Sequence, residues 1–149
     1  MSYLLRAVVC VFMFLLVGCA TVQQRADGKP SLEDLLRQAN AAYAEARLDD
    51  AERLYRRTTE HYPTVSQAWF KLGNVYFRTG RYTAAIRAYE KTLQYDRENV
   101  DAWHNLALTR VKQATRTLDT ALKRVPDRNE QKTVLTDLKK RLMLKFSDE

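Results

Sequence analysis

Cysteine occurs only as Cys10 and Cys19, so everything after residue 19 lacks the thiols for an internal disulfide or a cysteine-ligated metal site. Histidine is nearly as scarce, with His61 and His104 alone. No HExxH, paired-cysteine motif or phosphate-binding glycine loop occurs, so the common frameworks for a nucleophile, a base or a metal cluster are missing. These absences argue against an enzyme and against any cofactor or bound metal. Isolated carboxylates such as Glu60, Asp96 and Asp101 read as solvated helix faces. Three prolines and four glycines interrupt 149 residues, while Ala, Leu, Arg and Lys recur at helical spacing, which favours an all-α fold of one domain.

Acidic residues are in modest deficit, 18 against 25 basic ones, for a formal charge of +7. Acidic side chains are interspersed among Arg53, Arg56 and Arg57 and around Lys139, Lys140 and Arg141. That pattern reads as solvated faces and not as a nucleic-acid surface.

A long hydrophobic run is also lacking. The longest, Ala7 to Val17, has eleven residues, where a spanning helix needs about 20. Behind Arg6 it has the length of a signal-peptide core and ends in Leu16-Val17-Gly18-Cys19. That ending resembles the lipobox of bacterial lipoprotein precursors, which implies removal of residues 1–18 and lipidation of Cys19. A diacylglyceryl thioether with an N-acyl chain would anchor the protein without spanning. Ala20 after the cysteine implies, by the same resemblance, the periplasmic face of the outer membrane. An ordinary cleavage at Gly18-Cys19-Ala20 is the alternative, and it would release a soluble periplasmic protein, such as a chaperone for unfolded clients. Residues 19–30 are expected to be a flexible tether, polar and containing Gly28 and Pro30.

From Ser66 to Asn99 the chain carries Trp69, Leu72-Gly73, Tyr76, Gly80, Tyr82, Ala85 and Tyr89. A shift of 34 residues back aligns Leu35 with Trp69, Asn40 with Asn74, Ala51 with Ala85, Tyr55 with Tyr89 and Thr58 with Thr92. Small residues at 73 and 85 would let paired helices approach, and Gly80 would permit a turn. This pattern resembles the tetratricopeptide repeat (TPR), with repeats at about 32–65 and 66–99 and a partial one at 100–126. Ala39 replaces Gly73 and Ala46 replaces Gly80 in the first repeat.

In the third unit Ala102, Trp103 and Leu106-Ala107 match, but the second-helix residues arrive about five positions early. Trp103, Leu106, Arg110, Ala114, Leu118, Ala121 and Val125 stay on one stripe, which points to a single fused helix from Asp101 to about Val125. After Pro126, Val134, Leu135, Leu138, Leu142 and Phe146 predict a helix over about 128–146 that caps the solenoid.

The resemblance implies a concave protein- or peptide-binding groove on the first helix of each repeat. Carried over, it comprises Leu36, Asn40, Tyr43, Phe70, Asn74, Phe77, Arg78, His104, Asn105, Leu108 and Val111. Asn74 and Asn105 match two asparagines of TPR carboxylate clamps, but Phe70 stands where the clamp has lysine. Phe70, Asn74 and Phe77 are expected to point away from the hairpin contact, leaving them free for a partner. The expected role is an adaptor or scaffold in an envelope assembly, tethered to the membrane through Cys19. The sequence leaves the oligomeric state open.

Overall fold

The computed structural model describes residues 30–127 and 129–144, and the signal segment, Cys19 and Phe146 lie outside them. The described residues form six helices: α1 (Leu32–Ala44), α2 (Leu48–His61), α3 (Ser66–Arg78), α4 (Tyr82–Tyr95), α5 (Val100–Arg124) and α6 (Gln131–Leu144). Each packs on the next, and α3 also touches α5. The architecture is the all-α solenoid expected from the repeat.

The first and third units start with local capping chemistry. Ser31 Oγ accepts the Asp34 amide at 3.2 Å, and Glu33 and Asp34 sit at the positive end of the α1 dipole. Asn99 Oδ1 accepts the Ala102 amide at 2.9 Å to start α5, while Lys123 and Arg124 occupy its last turn.

The two hairpin turns are copies. The Arg47 amide donates to Ala42 O and the Ala46 amide to Tyr43 O; 34 residues later the Arg81 amide donates to Tyr76 O and the Gly80 amide to Phe77 O. Both are the paired six-to-one and five-to-two bonds that close a helix with a left-handed residue. Gly80 holds φ +72°, but the first repeat must place Ala46 at φ +57°. A Cβ makes that conformation costly.

Small residues and tyrosines build the core. Ala39, Ala42, Ala51, Leu54, Tyr55, Leu72 and Val75 form one cluster, and Ala85, Tyr89, Leu93, Ala102 and Leu106 form a second. Side chains such as Leu72 and Leu106 contribute about 1.5–3 kcal/mol each by leaving water. Trp69 and Tyr76 pack partly buried against the first cluster, so the second repeat seals the first. Trp69 Nε1 donates to Pro63 O at 2.7 Å, and Trp103 Nε1 donates to Arg97 O at 3.0 Å in the matching place. Buried Thr58 and Thr92 satisfy their hydroxyls on Leu54 O and Ala88 O. Arg81 clamps Glu52 of the previous repeat through both carboxylate oxygens and lies 4.7 Å from the Tyr76 ring centre.

The fused helix runs from Val100 to Arg124, as expected, because Gln113 and Ala114 occupy the register of Thr79 and Gly80 and supply no left-handed residue. Its stripe is buried at Leu106 and Leu118, while Trp103 stays 55% exposed.

The last helix, α6, runs over Gln131–Leu144, and among the described residues of its stripe Leu135 and Leu142 are partly shielded, whereas Val134 and Leu138 remain exposed. The reason is that α6 packs along one helix, α5, with Lys139 paired to Asp119 at 2.5 Å. A single neighbour shields one side of a helix, so α6 covers the end incompletely.

Replacing Ala46 with Gly should remove backbone strain and stabilise the protein by about 0.5–1 kcal/mol, while Gly80→Ala should cost a similar or larger amount. Urea titrations of the two variants check this; stabilisation by Gly80→Ala would contradict the turn assignment.

Candidate protein-binding groove

Every third or fourth residue of α1, α3 and α5 turns to the same side, and there Tyr43, Asn74, Phe77, Arg78, Tyr89 and Asn105 enclose a cavity of about 230 Å³. Of the residues carried over from the repeat resemblance, Tyr43, Asn74, Phe77, Arg78 and Asn105 are brought together in it. Leu36 and Asn40 lie on α1, Phe70 on α3, and His104, Leu108 and Val111 on α5, all outside its lining.

The polar groups are already oriented by the fold. Tyr89 Oη donates to Asn74 Oδ1 at 2.8 Å, and Asn105 Nδ2 donates to the same oxygen at 3.0 Å. With its carbonyl engaged twice, Asn74 has its amide NH₂ left to offer. In the first repeat Tyr55 Oη donates to Asn40 Oδ1 at 2.7 Å. The residue matching Asn105 there is Lys71, which instead sets its ammonium 5.9 Å from the centre of the Tyr43 ring. The Arg78 guanidinium lies 4.8 Å from that ring. Both cations gain from the π face. No carboxylate lines the cavity, so it presents donors and positive charge to whatever enters.

Phe70, Asn74 and Phe77 do not simply point away from the hairpin. Phe70 tilts against Tyr89 with ring centres 6.0 Å apart, Phe77 sits 5.8 Å from Tyr82, and both pack against the second core cluster. Asn74 holds the Tyr89 hydroxyl. Truncating this trio would damage the fold together with the groove. Sequence reasoning left Lys71 and Tyr89 out of the groove; the register of Lys71, 34 residues before Asn105, was the signal that could have found it.

Burial sets the acid–base behaviour. It pushes the Tyr55 phenol up to about 12 and the Tyr89 phenol higher, and it raises Tyr76 as well. No group of potential metal ligands occurs among the described residues, and no described helix is long and apolar enough to cross a membrane.

An unfolded tyrosine ionises near pH 10. Between there and about 12 the unfolded chain releases phenolic protons that the folded chain keeps, so stability should hold below pH 10 and fall as pH rises through this window. Absorbance at 295 nm should show Tyr55 and Tyr89 titrating with unfolding. Titration of all tyrosines near pH 10 in protein that circular dichroism shows still folded would contradict the burial.

Two tetratricopeptide-repeat family models match the chain, one over residues 36–98 and one over 76–138. A stretch of 67 residues is 36% identical to protein O-mannosyl-transferase TMTC3 of Homo sapiens, and 64 residues are 38% identical to the Mus musculus protein of the same name. These matches cover 45% and 43% of this chain but 7% of each relative, so the chain spans a small part of their length. A solved structure described as a CopN-Scc3 complex aligns with TM-score 0.49 and 22% identity, over 77% of this chain and 68% of the other. The paired left-handed turns, the tyrosine–asparagine bridges at a 34-residue spacing and the two family matches lead to one conclusion: the chain belongs to the tetratricopeptide-repeat proteins, whose fold serves as a protein-interaction scaffold.

Proposed function

We propose that this chain is an adaptor tethered to the envelope through Cys19, and that its groove holds an acceptor-rich, acidic segment of a partner protein. The observation that carries the reading is the donor-lined cavity: Asn74 has its carbonyl engaged by Tyr89 and Asn105, and Arg78 and Lys71 flank the Tyr43 ring. A buried carbonyl or carboxylate entering there would meet uncommitted donors, and a basic segment would meet repulsion. Tyr43 and Phe77 add aromatic contact area of the kind that dominates binding hot spots.

The tether rests on the Leu16-Val17-Gly18-Cys19 pattern and the polar stretch to Pro30. In this reading residues 1–18 are removed, acyl chains on Cys19 enter the membrane, and residues 31–146 stand off at the periplasmic face of the outer membrane. The partner would belong to an assembly such as a pilus, a secretion system or cell-wall machinery. The mannosyl-transferase activity in the relatives' name stays with those proteins.

One experiment tests both parts, by affinity capture from envelope extracts with radiolabelled fatty acid in the medium. Lys71→Glu with Arg78→Glu should lower partner recovery about tenfold or more, since this turns two favourable charges into two repulsive ones without touching the core. Arg57→Glu, on an exposed face of α2, should leave recovery unchanged. Cys19→Ser should abolish fatty-acid incorporation. Recovery lost with Arg57→Glu but kept by the groove variant would overturn the groove, and label retained by Cys19→Ser would overturn the tether.

A further inference from the structure

The missing turn in the third repeat creates a second, chemically different site. Because α5 runs straight through the register where a hairpin would close, its distal half passes the α3–α4 turn and carries Gln113, Arg116 and Thr117 opposite Arg81, Thr83 and Arg87. Between them lies an open cavity of about 590 Å³, and none of its ten lining residues is a carboxylate. Arg81 is matched by Glu52. Arg87 and Arg116 have no ion pair among the described residues, which leaves two positive charges facing one space. Arg116 is oriented by its Nη1 bond to Gly80 O at 3.1 Å, which keeps its other N–H groups available. The Thr83 hydroxyl accepts from Gln113 Nε2 at 2.9 Å and retains its own proton to donate.

We infer that this cavity between α4 and the distal half of α5 binds a phosphate monoester, held between Arg87 and Arg116 with the Thr83 hydroxyl as a third donor. Two guanidinium forks match a divalent tetrahedral oxyanion, whereas a single carboxylate would leave one charge unmatched. The cavity is open and polar, so it has room for a phosphate that carries a further polar group: a soluble phosphorylated metabolite or the headgroup of an anionic lipid. The site uses no residue of the groove and stands independently of the partner reading. It is also specific to this chain, because a regular third hairpin would turn away before Arg116.

The test is titration calorimetry of the full chain in a nonionic detergent and phosphate-free buffer, with glycerol 3-phosphate in one arm and phosphatidic acid in mixed micelles in the other. Binding in either arm supports the site, and the arm that binds identifies the source. Arg87→Gln and Arg116→Gln should each weaken binding by about tenfold, the scale of a lost charge-assisted pair, and Arg57→Gln should leave it unchanged. The Arg87 side chain makes no hydrogen bond or ion pair to other described residues, so its variant keeps the test sound if Arg116→Gln, which also loses the Gly80 contact, unfolds. No heat in either arm, or equal loss with Arg57→Gln, would overturn the proposal.

Discussion

A tyrosine ring lies where a side chain of residue 73 would be. A Cβ on Gly73 would sit 2.6 Å from Tyr89 Cε1, inside any tolerable contact, so the ring has closed directly onto the α3 backbone. That approach buries Tyr89 almost completely and delivers its hydroxyl to Asn74, which receives Asn105 of the next helix. One glycine thereby fixes the spacing of α3 and α4 and aligns the amides that face the groove. Core and candidate groove are two sides of the same contact, which explains why Phe77 lines the cavity and also packs against the second core cluster.

The same dependence shows where the repeat is altered. The first repeat keeps the tyrosine–asparagine bridge but substitutes alanine at both glycine positions, and it carries the consequence as a left-handed Ala46. The third unit has no residue suited to the turn, so its helix continues for 25 residues. The second helix of a regular third hairpin is then missing, α6 follows α5 with one side covered, and Val134, Leu138, Met143 and Leu144 stay in water. Loss of one turn thus accounts for the long helix, the incomplete cap and the basic cavity beside α4.

What the sequence made legible was whatever repeats or breaks a repeat. The helix order, the hairpin turns, the shared positions of Trp69 and Trp103 and the absence of a break near Gln113 all follow from periodicity and from one or two residues with special backbone needs. Less legible was how a side chain divides its bonding capacity. Asn74 and Asn40 occupy the same register, but Asn105 completes one bridge, whereas Lys71 in the matching place reaches for Tyr43. The exposure of Leu138 was hidden for a related reason: an apolar stripe reports a tendency to be buried, and the supply of neighbours is set by the rest of the chain.

In the proposed function a partner enters from the side where α1, α3 and α5 present donors. Site-specific photocrosslinking in living cells tests it directly, with a photoreactive amino acid placed at Lys71 in one strain and at Arg57 in another. A discrete crosslinked adduct is expected from position 71 and none from position 57. An adduct from position 57 with none from position 71 would contradict it.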